Sequence, residues 1–219
     1  MDTEPEDPYL VTVHPDRLRG QLRWLSHSGL RGVSVGELER AHAAGTAAGL
    51  VGLSFDDGYR DFLDQAVPLL ADHGFTATVY VVARKMGADN DWDREGPRKP
   101  LMTARQVRAV VDAGMEVGSH SLTHVALAGL APERLTAEVA ESRSILQDVT
   151  GCAVEGFCYP YGSFDPAAVG AVEAAGYTHA CAVSPGAAAG PHTLPRSYVG
   201  DRDGPLRLTA KYLRHRWTR

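Results

Sequence analysis

The chain has 219 residues, 44% of them hydrophobic and 22% charged, and a net charge of −5. That length holds one large domain or two small ones with a sizeable core, and the apolar content excludes a disordered chain. The acidic balance gives no reason to expect nucleic acid as a partner, and no run approaches the roughly 18 apolar residues that span a bilayer.

The start, Met1 to Asp7, is acidic and lacks the basic-then-apolar plan of a secretion signal, so the expected location is the cytoplasm. A unit then recurs: an amphipathic helix, a glycine, and a β-rich run. Leu18, Leu22 and Leu25 share a helix face that ends at Gly29, before a β-run over 32–35. The apolar run Leu50 to Phe55 follows. Phe62, Ala66, Leu69 and Leu70 repeat the helical spacing up to Gly74, before a β-run over 75–82. Residues 84–101 form a long polar connection that contains Trp92, and loops of this length are often functional. Val107, Val110 and Val111 lead to Gly114 and the short run Met115 to Val117; the longest helical candidate is Pro132 to Val149. Gly156 to Cys158 is another short β-run. Val169, Val172 and Ala175 lead to Gly176 and a β-run over 177–183, and the basic tail from Pro205 reads as a helix. Glycine just past a helix supplies its left-handed cap. Helices alternating with strands predict a parallel sheet with helices outside, open or closed into a barrel, in a single domain over 1–219.

Active sites in such sheets collect at the carboxyl ends of the strands. Three polar motifs fall there: Asp56-Asp57 after Phe55, His120 and His124 after Val117, and Tyr159-Pro-Tyr-Gly162 after Cys158. Asp-Asp-Gly alone is most often a turn, and two histidines four apart are weak evidence alone. Together they make an Asp plus two His, a set that leaves a metal position open for water, with a second carboxylate beside it as a base. The pattern predicts metal-assisted hydrolysis. The three cysteines, Cys152, Cys158 and Cys181, form no CxxC pair and read as small buried hydrophobes.

These motifs resemble those of the polysaccharide deacetylase family, the NodB-homology carbohydrate esterases. Ser54-Phe-Asp-Asp-Gly58 matches its first motif, His120-Ser-Leu-Thr-His124 its second, and Phe157-Cys-Tyr-Pro-Tyr-Gly162 the F-A-Y-P-Y-G third motif of one branch. The resemblance implies a distorted (β/α) barrel. Relatives often begin with a strand like Y-H-x-V, missing ahead of Asp7, which predicts a barrel open there or a start codon upstream. It implies removal of an N-acetyl group from an N-acetylated amino sugar or glycoconjugate. Asp57, His120 and His124 would hold one divalent metal, expected to be zinc. Asp56 would take a proton from the metal-bound water, and the main-chain N–H of Tyr161 would help hold the oxyanion. Many members carry Arg where Cys158 stands, and Arg196 at another predicted strand end is the candidate replacement. A late Leu-x-His has no clean equivalent; His192 is the nearest candidate for the general acid. Trp92 is a candidate sugar platform, and the basic tail helix a candidate for peripheral membrane contact. Two alternatives stay open: an amide deacylase or deformylase of small metabolites, and a non-catalytic sugar-binding relic.

Overall fold

A computed structural model describes residues 7–8, 10–183 and 190–217. Eight helices and eight strands follow one another along them, mostly in alternation, with short π and 3-10 turns between. The first helix, α1 (Pro15–His27), starts at a proline behind His14, whose Nδ1 accepts from the Asp16 amide. Strand β1 (Arg31–Val33) pairs in parallel with β2 (Leu50–Gly52). The expected β-run to Val35 stops early. Ser34 caps a helix instead, α2 (Val35–Ala43), by accepting from the Glu37 amide, and Thr78 Oγ1 accepts from the Val35 amide at its first turn.

The remaining strands form one parallel sheet in chain order: β3 (Ser54–Phe55), β4 (Thr78–Val81), β5 (Glu116–Ser119), β6 (Gly156–Cys158), β7 (His179–Ala182) and β8 (Leu194–Pro195). Leu53 joins the two sheets: its amide donates to Val33 and its carbonyl accepts from Thr78. The result is a parallel half-barrel, with β1 and β8 as its free edges among the described residues.

Helices α3 (Val67–Ala71), α4 (Ala104–Asp112), α5 (Pro132–Thr136), α6 (Ser142–Thr150), α7 (Pro166–Ala174) and α8 (Pro205–Trp217) complete the fold. Thr103 and Gln106 form a reciprocal capping box at the start of α4, and Gly151, at φ 70°, ends α6. Period-2 alternation divides each strand between two faces. Val79 and Val81 of β4 and Phe157 of β6 join the core under the helices, while Tyr80, Cys158 and Cys181 pack with Val35 on the other face. Tyr80 fits because β5 has glycine beside it: a Cβ on Gly118 would lie 2.5 Å from the Tyr80 ring.

The single helix expected over Pro132 to Val149 is interrupted. A π-helical turn, Ala137–Glu141, separates α5 from α6. Ser142 Oγ and Tyr177 Oη both donate to the Val139 carbonyl, which compensates the bulge. The tail helix is docked: Leu208 is buried and the Tyr212 ring meets Trp24 of α1 edge-on, whereas Leu206 and Leu213 are exposed.

Leu146 lies fully buried on α6, which packs against α4 and β5. Leu146→Ala is expected to cost about 2–5 kcal/mol of stability, read from the midpoint of denaturant unfolding at unchanged slope.

Candidate active site

Every strand that carries a motif delivers it at the same end. Asp56 and Asp57 follow β3, His120 follows β5, Tyr159 to Gly162 follow β6, and Arg196 follows β8. Parallel pairing makes these the carboxyl ends, where each chain turns outward and its first residues line the concave mouth. The backbone there is strained. Asp57 (φ 71°), Ser121 (φ 65°), His124 (φ 65°) and Tyr161 (φ 57°) all adopt left-handed conformations without being glycine.

Asp57 Oδ1 lies 3.3 Å from His120 Nε2 and 3.2 Å from His124 Nε2, in a cluster where all three residues are buried. His120 Nδ1 is 2.7 Å from the Cys158 carbonyl, which only accepts, so Nδ1 carries the hydrogen. In neutral His120, the Nε2 lone pair then faces a carboxylate oxygen. That contact is repulsive unless a proton or a cation lies between them. Two imidazole nitrogens and one carboxylate oxygen within 4.8 Å of one another suit a divalent cation of borderline softness such as zinc, so the residues present fit a metal. Burial opposes ionisation of Asp57, but hydrogen bonds and charge from both imidazoles hold its carboxyl well below the ordinary range.

Asp56 has a different partner. Arg196 grips it through two parallel hydrogen bonds, Nη1 to Oδ1 and Nη2 to Oδ2, both 2.7 Å. The same guanidinium donates to Ser54 Oγ at 3.0 Å and lies over the Tyr80 ring. Burial raises the Asp56 carboxyl, yet the charge and hydrogen bonds of Arg196 outweigh it and the net shift is downward. Cys158, where many relatives have Arg, is fully buried, with Sγ 2.9 Å from Arg196 Nη2 and 3.8 Å from Asp56 Oδ2. A short thiol leaves space that a guanidinium from β8 fills.

Two aromatic rings flank His124. Trp92, from the long polar connection, stacks on it at 4.2 Å and 19°, and Tyr161 meets it edge-on at 4.6 Å. One face of Trp92 is therefore taken by an imidazole. The segment that carries Trp92 is tied down from within: Asn90 Nδ2 donates to Asp93, and Asn90 Oδ1 accepts from the Lys99 amide. Asp93 also accepts from Tyr59 Oη, next to the Asp-Asp-Gly turn. Tyr161 is 63% exposed, so this wall of the site is open to an incoming molecule.

The polysaccharide deacetylase family model matches residues 43–180, which is most of the chain and contains both carboxylates, both histidines and the Tyr159 to Gly162 turn. The chain belongs to the polysaccharide deacetylase family. Among curated relatives, YxkH of Bacillus subtilis is 28% identical over 136 residues, covering 62% of this chain and 45% of the relative. The poly-beta-1,6-N-acetyl-D-glucosamine N-deacetylase of Escherichia coli is 29% identical over 129 residues, covering 55% and 19%. The chain thus spans less than half the length of these relatives. Among solved structures, the Streptococcus pyogenes deacetylase PplD in complex with acetate superposes with a TM-score of 0.81 at 22% identity, covering 95% of this chain and 93% of that one. The de-N-acetylase of Aggregatibacter actinomycetemcomitans does so with 0.79 at 20%, covering 96% and 94%. At such identities the likeness is one of fold, and the fold is the family's (β/α) barrel type.

Within that fold, Asp56, Asp57, His120, His124, Tyr161, Trp92 and Arg196 come together at one mouth. Arg196 does so from beyond the residues that the family model matches. His192 does not join them. It precedes β8, four residues before Arg196, which is roughly 13 Å back along a strand. Its Nε2 is hydrogen-bonded to the Tyr177 carbonyl at 2.8 Å, and its own carbonyl accepts from Tyr159 Oη. The expectation of an acid role for His192 is therefore corrected: proximity in sequence to β8 placed it near the motif, but strand direction points it toward the amino end. Glu138, on the π turn, is a residue that the sequence reading passed over. A lone Glu reads as solvent-facing by residue type, yet its spacing, three after Leu135 and four before Ser142, puts it on the buried face, where it is 4% exposed.

Proposed function

We propose that the chain is a metal-dependent N-deacetylase that removes acetyl groups from N-acetylated amino sugars in a polymer or glycoconjugate. The observation that carries this reading is the division between the two adjacent carboxylates: Asp57 faces two imidazoles, and Asp56 faces a guanidinium. Asp57, His120 and His124 are the residues that would hold a divalent metal, with zinc the best fit to two nitrogens and an oxygen. When bound there, the cation supplies Lewis acidity to the acyl oxygen and lowers the pKa of water toward neutrality.

Asp56 then acts as the general base, accepting the proton of the attacking water at the carboxylate that Arg196 orients. Arg196 keeps that carboxylate ionised and fixes its plane. The main-chain N–H of Tyr161, in its left-handed turn, would help hold the developing oxyanion, which gains most from a preorganised donor. Trp92 and the Tyr161 ring form apolar walls around His124 that favour a small acyl methyl over water. Family membership and the likeness to the poly-beta-1,6-N-acetyl-D-glucosamine N-deacetylase of Escherichia coli support the substrate class.

The test is acetate release from N-acetylglucosamine oligomers, both β-1,4- and β-1,6-linked, with protein loaded with zinc, stripped by chelator, and reloaded. Release is expected from the loaded and reloaded protein and at background in the stripped protein. Turnover that survives complete metal removal would sink the mechanism. Preferential turnover of formyl or longer acyl amides of small amines would replace the substrate class.

The arginine gives a pH prediction. Arg196→Leu leaves burial as the largest influence on the Asp56 carboxyl, so its pKa rises and a base that must be ionised needs a higher pH to work. The acid limb of the pH–rate profile is expected to move upward, with Arg196→Lys moving it less because the charge stays and the fork is lost. An unmoved acid limb in both variants would remove Arg196 from this role.

A further inference from the structure

The metal-site loop needs explaining, because two of its five residues are in conformations their side chains disfavour. Ser121 and His124 both have φ near +65°, and they bracket Leu122 and Thr123. Such strain persists only when surrounding groups over-determine it. From one side, the 3-10 turn after β4, Ala83–Lys85, holds the loop's carbonyls: the Ala83 amide donates to the Ser121 carbonyl and the Arg84 amide to the Leu122 carbonyl. Within the loop, Ser121 Oγ accepts from the His124 amide at 3.0 Å.

The amides are held from the opposite side by one carboxylate. Glu138 Oε2 accepts from the Leu122 amide at 3.0 Å and the Thr123 amide at 2.9 Å, and Oε1 accepts from Thr123 Oγ1 at 2.5 Å. Three donors converge on one buried acceptor-only group. Glu138 reaches them from the π turn Ala137–Glu141, and that turn is itself compensated, since the Val139 carbonyl has Ser142 Oγ and Tyr177 Oη as donors. A second bond ties the bulge to the same strand: Ser119 Oγ, one residue before His120, donates to Ser142 Oγ at 2.8 Å.

We propose that Glu138 is a positioning residue for the metal centre: its carboxylate fixes the 121–124 turn and so aims His124 Nε2 at Asp57 and His120. This rests on the reading of Asp57, His120 and His124 as a metal site. Glu138 touches neither the metal position nor the reacting atoms. Its contribution is to prepay the ordering of the turn, so that ligand geometry exists before metal arrives. Thr123 is its nearest reporter, because its hydroxyl meets Glu138 and no other function is assigned to it.

The experiment compares zinc affinity by chelator competition, and the visible spectrum of the cobalt(II)-substituted protein, in wild type, Glu138→Ala, Glu138→Gln and Thr123→Val. Thermal melts of the metal-free proteins are recorded alongside. Glu138→Ala is expected to weaken zinc binding by about 10–100-fold, the range typical of lost outer-shell partners, and to alter the cobalt spectrum. Glu138→Gln keeps one acceptor oxygen and is expected to recover part of the affinity. Thr123→Val removes one donor and is expected to give a smaller loss in the same direction. If Glu138→Ala fails to fold, the Gln and Val variants decide. Wild-type zinc affinity and an unchanged cobalt spectrum in both, with only the melting temperature lowered, would make Glu138 merely structural and overturn the proposal. A wild-type chain that takes up no zinc would overturn the metal site itself, a separate result from variants that bind as well as wild type.

Discussion

Asp56→Asn is expected to lower the rate of deacetylation by about 10²–10⁴-fold while leaving zinc content at the wild-type level. Asparagine keeps the size of the side chain and an oxygen that accepts from Arg196, but it cannot take a proton. The substitution therefore removes the base and little of the architecture. It also leaves Arg196, which is largely buried and otherwise paired bidentately with Asp56, without its counter-charge. Some loss of stability should accompany the loss of rate, visible as a lowered melting temperature. The decisive pair of measurements is kcat and bound zinc in the same preparation. A variant with full zinc and a near-wild-type kcat would show that another group takes the proton.

Asp57→Asn, one residue away, is expected to act through binding. Asparagine tolerates the left-handed backbone that position 57 requires (φ 71°), so the fold of the turn is retained. What is lost is the negative charge between His120 Nε2 and His124 Nε2. Zinc affinity should fall by more than the roughly 10–100-fold that loss of an outer-shell partner costs, and acetate release should drop to background at any practical zinc concentration. Metal titration followed by activity separates the two neighbours: excess zinc is expected to leave Asp56→Asn inactive and Asp57→Asn unrescued, but only the first will hold the metal. Equal zinc binding by both variants would reverse the assignment of roles. The depressed pKa values of both carboxyls also carry a stability consequence in the metal-free protein. A carboxyl whose folded pKa lies below its unfolded value stabilises the fold above about pH 4 and loses that contribution as pH falls further.

Much of this site was legible along the chain because the fold is a repeating strand-and-helix unit. Once glycines mark the helix ends and short apolar runs mark the strands, the residues just after each run must meet at one end of a parallel sheet. That logic reached Asp56, Asp57, His120, His124 and Tyr161 from spacing and motif resemblance, and Arg196 as a candidate without a motif. It did not yield His192, which only nearness to the place of the family's late Leu-x-His suggested, and which lies before its strand and not after it. A separation of four residues is small in sequence and is a change of end in the barrel. It also missed α2, because a valine-rich run reads as strand until the Ser34 cap and the Thr78 hydroxyl are seen to start a helix.

What the sequence determined by itself was composition, order and chemistry: an alternating α/β chain, two carboxylates and two imidazoles at strand ends, and a thiol at Cys158. The tertiary structure gave geometry to the division of the carboxylates that the family resemblance implied, because Asp56 and Asp57 are neighbours in the chain and a left-handed turn sends their side chains to different places. It alone brought Arg196 across the mouth to Asp56 into the space beside Cys158. It alone showed what the buried Glu138 meets, because helical spacing marks its face but not the Leu122 and Thr123 amides that it accepts from. The physical reason is common to all three. Hydrophobic periodicity encodes which face of an element is buried, whereas pairing among polar groups depends on where separate elements converge, and that is a property of the packed fold.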